Sequence, residues 1–131
     1  MKIVRLMTLV ISIAAAVPGQ KTPGQKNPDV QVLELRAKRT MRQLALDGRI
    51  RVAAARPVRG LLIAFDFLAN DGTVLATEKT KVEEDVLAPG AESSIHADTD
   101  NLPRAVGVRL RAADFRQREL AVGNAGPFTI E

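Results

Sequence analysis

The chain has 131 residues, with 19 Lys and Arg against 15 Asp and Glu, one His, four Phe and no Cys, Trp or Tyr. This length bounds it to one domain, and the missing thiol excludes disulfides and cysteine nucleophiles. A net charge of +4 with so few aromatics is too mild to support nucleic-acid binding, which needs a basic groove and stacking rings.

In chain order, residues 1–5 carry Lys2 and Arg5, an apolar run of about 12 residues follows, and residues 14–16 are all Ala. This charged, apolar, small-residue order predicts a secretory signal peptide over residues 1–16. The run is short of the ~20 residues that cross a bilayer as a helix, so no membrane span is expected after cleavage. Without Lys2 and Arg5, 17 basic side chains face 15 acidic ones. The expected location is exported, periplasmic or extracellular. Residues 17–28 contain PGQK twice, and this density of Pro and Gly predicts an extended linker. The domain is expected over residues 29–131.

From there the dominant period is two. A strand is expected over residues 30–38 and a turn near Arg39 to Met41, although residues 33–46 are also rich in helix formers. Leu44, Leu46, Gly48, Ile50, Val52 and Ala54 then share one parity, with Asp47, Arg49 and Arg51 on the other; this is a half-buried strand. Leu61, Ile63, Phe65 and Phe67 form the next apolar stripe, with Asp66 opposite. These Phe are expected in the core, and Asp66 is expected outside, in an exposed pair with Arg109 or Arg111. The sequence Asn70-Asp71-Gly72 predicts a tight hairpin into a strand over residues 73–80. Pro89-Gly90 precedes a strand over residues 91–98. Val106, Val108, Leu110 and Ala112 alternate with Arg109 and Arg111, and residues 123–127 break the last strand in two. Short strands at this spacing predict an all-β antiparallel sandwich of about seven strands.

The run from Leu46 to Glu78, LDGRIRVAAARPVRGLLIAFDFLANDGTVLATE, followed by VLAPG and AESSIHA, resembles the bacterial FxLYD-type immunoglobulin-like domains. The matching features are the strand Gly48 to Val52, the apolar strand Leu61 to Phe67, the Asp71-Gly72 hairpin and the Leu87 to Gly90 turn. The likeness covers roughly residues 30–131. It departs at Ala54-Ala55-Arg56-Pro57, where such domains often show an Asn-rich corner, and the aromatic motif that names the family is not evident. The resemblance implies an exported binding or accessory module and carries no catalytic residues across.

Little of the chain points to chemistry. His96 is the only His, shares its parity with polar residues and is expected exposed on a strand. Asp98 and Asp100 alternate as calcium-loop ligands do, but the Gly and distal Glu of an EF-hand are missing, so an Asx-rich turn is expected, with calcium or a small ligand as the alternative. No cofactor is expected. Charge is unevenly spread: residues 36–59 hold eight basic side chains against Asp47, and residues 78–100 hold seven acidic ones against Lys79 and Lys81. Arg49, Arg51, Arg109 and Arg111 are the candidate partner-binding residues, the partner being an unidentified envelope or secreted protein.

Overall fold

A computed structural model describes residues 27–131 of the chain; the expected signal peptide and most of the linker lie outside these. Eleven strands follow in order: β1 (Val30–Arg39), β2 (Gln43–Val52), β3 (Val58–Arg59), β4 (Leu62–Leu68), β5 (Val74–Lys81), β6 (Val86–Leu87), β7 (Glu92–Asp100), β8 (Gly107–Ala113), β9 (Glu119–Leu120), β10 (Val122–Gly123) and β11 (Phe128–Thr129). The first sheet runs β10–β1–β2–β7 and the second β9–β8–β4–β5, with β11 also on β8; β3 and β6 form a separate ribbon. All pairings between strands are antiparallel except β10 with β1. Six long strands and one segmented terminal strand make up the expected sandwich, and the helix-rich composition of residues 33–46 yields to strand.

Alternation places the core. Leu44, Leu46, Ile50 and Val52 of β2 and Ile63, Phe65 and Phe67 of β4 are buried in one cluster with Val108, Leu110 and Ile95. Two apolar sheet faces closing on each other remove these side chains from water, at about 25 cal/mol per Å² of apolar surface. In β1 the parity changes. Val32 and Ala37 both point inward because a bulge lies between Val32 and Glu34. Gly48 faces that bulge: a Cβ there would stand 2.5 Å from the Glu34 carbonyl oxygen. The glycine in this buried strand is thus required by close backbone approach.

The hairpin at Asn70 to Gly72 forms as expected, with Gly72 at φ 88° and the Thr73 amide donating to Asp71. Val106 departs from expectation. It precedes β8, is exposed, and its amide donates to the Leu68 carbonyl. The terminal strand breaks into three pieces rather than two. It pairs with β8 at Glu119–Leu120, with β1 at Val122–Gly123, with β8 again at Phe128–Thr129, and bridges Ala37 at Ile130. It therefore crosses repeatedly between the sheets and closes one flank. On the other flank, β5 and β7 each pair on one side only. At the end holding the β1–β2 turn, the Arg39 guanidinium donates to Asn101 Oδ1 at 2.6 Å, to the Leu102 carbonyl at 2.9 Å and to the Ala105 carbonyl.

Candidate functional site

The four candidate arginines divide between opposite faces. Arg49 and Arg51 lie on the outer face of the first sheet, and Arg109 and Arg111 on the outer face of the second. They form no common surface, because β2 and β8 belong to different layers. Arg49 is held by acids on both sides, its Nε 3.2 Å from Glu34 and its Nη1 2.8 Å from Glu92. Such exposed pairs contribute little to stability, but they leave Arg49 neutralised.

The second face is built differently. Asp66 lies opposite the Phe stripe as expected, but it is only 2% exposed, which corrects the expectation of a wet pair. Arg109 stands directly across from it on β8 and Arg111 across from Ala64, and the two long side chains roof the carboxylate. Arg111 donates from Nε at 2.7 Å and from Nη2 at 3.0 Å; Arg109 reaches it at 3.5 Å; the Thr77 hydroxyl of β5 donates at 2.7 Å. The bonds from Arg111, above all, hold the Asp66 carboxyl below the usual carboxylate range, against burial, which pushes it up. The guanidiniums remain about half exposed. Lys79 and Lys81 of β5 lie in the same outward parity, and a groove of about 300 Å³ runs between Lys79 and Arg111 over the small side chains of Ala64 and Ala113. A single buried acid thus anchors one edge of a basic, shallow surface.

Asp98 and Asp100 are not in a turn. β7 continues through Asp100, so their carboxylates lie two residues apart on one strand face. Asp98 bonds His96 Nε2 at 3.0 Å, while Asp47, directly across on β2, bonds His96 Nδ1 at 2.7 Å. Among the described residues no group of three or more potential ligands is placed to hold a metal ion. His96 is exposed, as expected, and its flanking by two carboxylates, Asp47 first, raises its pKa above the ordinary value. Arg36 of β1 stands next to Asp47 in the same row. Both ring nitrogens donate only in the imidazolium form, so this bridge belongs to charged His96. Its contribution is complete below the unfolded value near pH 6.5 and is lost as pH rises through the raised folded value. Denaturant midpoints of the wild type and His96→Gln measured from acid to alkaline pH are expected to converge as pH rises; a constant gap would contradict this.

Sequence reasoning passed over the end of the molecule where β3 pairs with β6. A cleft of about 570 Å³ opens there, lined among others by Arg56, Arg59, Phe115 and Arg118. Phe115 is the large aromatic left exposed. The available signal was its setting, since it lies outside every alternating apolar run, between Asp114 and Arg116.

No protein family matches the chain, and neither does a curated protein. Among solved structures the chain is similar to the β-glucuronidase of Bacteroides uniformis, at 15% identity and a TM-score of 0.48, over 76% of this chain and 12% of that one. It is similar to IrmA from Escherichia coli at 11% identity and a TM-score of 0.48, over 78% of this chain and 95% of that one. It is also similar to the alkylpurine DNA glycosylase AlkC of Pseudomonas fluorescens, at 14% identity and a TM-score of 0.40, over 72% of this chain and 30% of that one. The chain spans about an eighth of the glucuronidase (12%). These likenesses are too distant to place the chain in a family, and its reading rests on its own sandwich and surfaces.

Proposed function

We propose that this chain is an exported, non-enzymatic immunoglobulin-like module that acts by contact with another protein of the cell envelope or the secreted pool. Three features of the sequence support this reading: the signal pattern of residues 1–16, the resemblance to FxLYD-type domains, and a composition with one His and no Cys. The observation that carries it is Asp66. A carboxylate buried beneath Arg109 and Arg111 holds two guanidiniums in fixed positions on a face that also carries Lys79 and Lys81. Arginine held in place loses less freedom on binding and is a favoured interface anchor. The complementary partner face carries acidic groups.

The test is crosslinking and capture from the native envelope with the full exported chain. The variant Lys79→Glu with Arg109→Glu reverses charge while leaving Arg111 on Asp66. It is expected to lower partner recovery by about tenfold or more. The variant Arg49→Glu with Arg51→Glu, on the opposite face, is expected to leave recovery unchanged. Equal recovery by both variants would overturn the assignment of this face.

A further inference from the structure

Of the four Phe, two are fully buried and Phe128 is half-buried, whereas Phe115 is 58% exposed. An exposed ring alone is ordinary; what distinguishes Phe115 is how it is held. Asp114, itself only 7% exposed, accepts the amides of Arg116 at 2.9 Å and Arg118 at 3.0 Å. The Gln117 amide donates back to the Asp114 carbonyl at 2.8 Å, with Gln117 at φ 63°. The Phe115 amide donates to the Arg59 carbonyl at 2.9 Å. Gly60 sits at φ 58°, and a Cβ there would come within 2.8 Å of Phe115 Cβ. The turn is hydrogen-bonded throughout, and the ring it carries is turned to solvent with the Arg116 guanidinium 5.3 Å from its centroid.

The cleft beside this ring combines an apolar wall with three arginines and three carboxylates, of which one arginine, Arg118, is held in an ion pair, with Asp114. Val58 and Leu120 contribute the apolar part, and Arg56 and Arg59 line it without an ion pair among the described residues. Two of its acids are engaged internally: Asp29 accepts the Ala121 amide at 3.0 Å, and Asp114 holds the turn and Arg118. Its third acid, Glu119, is exposed, also lines the groove beside Arg111, and adds its attraction to that guanidinium. The acidic residues 83–85 lead into β6, the Asp85 carbonyl accepting the Gly60 amide at 2.8 Å, and there Glu84 accepts from Ser93 and Asp85 pairs with Lys81.

We infer that this end cleft docks an acidic peptide segment of a partner protein that carries an apolar side chain. The peptide carboxylates pair with Arg56 and Arg59, and the apolar side chain packs on Phe115, Val58 and Leu120. A ring presented on a pre-ordered turn, with the Arg116 guanidinium against it and Arg56 and Arg59 lining the cleft beside it, matches the aromatic-and-Arg composition of interface hot spots, and its fixed backbone lowers the ordering cost of binding. This site is separate from the Arg109 and Arg111 face, and its test is independent of that reading.

The probe is a short fluorescein-labelled peptide of Glu and Asp with a central Phe, titrated onto the full chain and followed by anisotropy. Its Ala-centred counterpart, its Lys-for-acid counterpart and free phenylacetate serve as comparisons. The Phe-centred acidic peptide is expected to bind at least about tenfold more tightly than the Ala-centred one, to weaken with salt, and to be lost in the Lys form. Phe115→Ala, and Arg56→Gln with Arg59→Gln, are each expected to weaken it about tenfold. Phe115→Leu is expected to restore part of the affinity, and Lys79→Glu with Arg109→Glu to leave it unchanged. Melting temperatures of the Phe115 variants should match the wild type, because the ring is exposed. Absent binding, or binding indifferent to Phe115, would overturn the proposal, the latter leaving only diffuse charge attraction. Phenylacetate competing at the peptide's own concentration would overturn it in favour of a small-molecule site.

Discussion

Phe65→Ala is expected to cost about 3–5 kcal/mol of folding stability, among the largest losses from a single truncation in this chain. Phe65 is fully buried in β4, between Glu78 of β5 and Leu110 of β8 in register, and belongs to the cluster shared by both sheets. The chain has no Trp or Tyr, and the neighbouring core ring, Phe67, is itself fully buried in the same cluster. Removing the ring forfeits its transfer free energy and leaves a void that a β-sheet framework relaxes poorly. For a domain of this size each kcal/mol corresponds to roughly 4–8 °C in Tm, so melting is expected to fall by about 12–40 °C or folding to fail at ambient temperature. Phe65→Leu, which keeps most of the volume, is expected to cost about 1–1.5 kcal/mol. Thermal melts of the two variants check this. A loss for Phe65→Ala no larger than that for Phe65→Leu would mean the two layers do not close on this ring.

Asp66→Ala is the second large effect and separates geometry from charge. The carboxylate accepts charge-assisted bonds from Arg111 and a hydroxyl bond from Thr77 in a site closed to water, and hydrogen bonds to charged groups contribute about 1.5–3 kcal/mol each. The guanidiniums are half exposed and regain water when released, so the net loss is expected near 1.5–3 kcal/mol rather than the larger cost of stranding a buried cation. The folded carboxyl lies below its ordinary value, so its stabilisation is present above the unfolded value near pH 3.9 and is lost as pH falls through the lowered one. Asp66→Asn should abolish that acid-side segment of the stability curve. Asp66→Ala also makes the surface one charge more positive. If Arg109 and Arg111 act through fixed geometry, partner capture falls in spite of the added charge; capture that rises would show that charge alone governs it.

The sequence spoke clearly wherever one face of a strand is dry. The stripe Leu44 to Val52 and the stripe Leu61 to Phe67 are buried as their parity predicts, and Asn70-Asp71-Gly72 makes its turn. It spoke poorly where tertiary partners decide. Parity alone put Asp66 outside, but the length of Arg111 and Arg109, arriving from a strand more than forty residues on, is what closes it off. The bulge at Val32 to Glu34 inverts the β1 parity and shows only in the strand register. The separation of Arg49 and Arg51 from Arg109 and Arg111 is a matter of sheet order, which no local pattern encodes. Asp98 looked like part of a turn because Asp and Asn favour turns, whereas nine ladder pairs with β2 hold residues 92–100 extended. Phe115 lies in a turn made by backbone bonds to Asp114, so neither period could mark it.

The terminal strand that alternates between the two layers has a consequence for self-association. Its ordered pieces are two residues long, interrupted by Pro127, and shared between β1 and β8, so this seam offers no continuous ladder for another molecule to extend. Among the described residues, the long strands with an unpaired edge are β5 and β7, on the opposite rim. Edge-to-edge pairing is therefore directed to that margin, and the stitched side gives it no template.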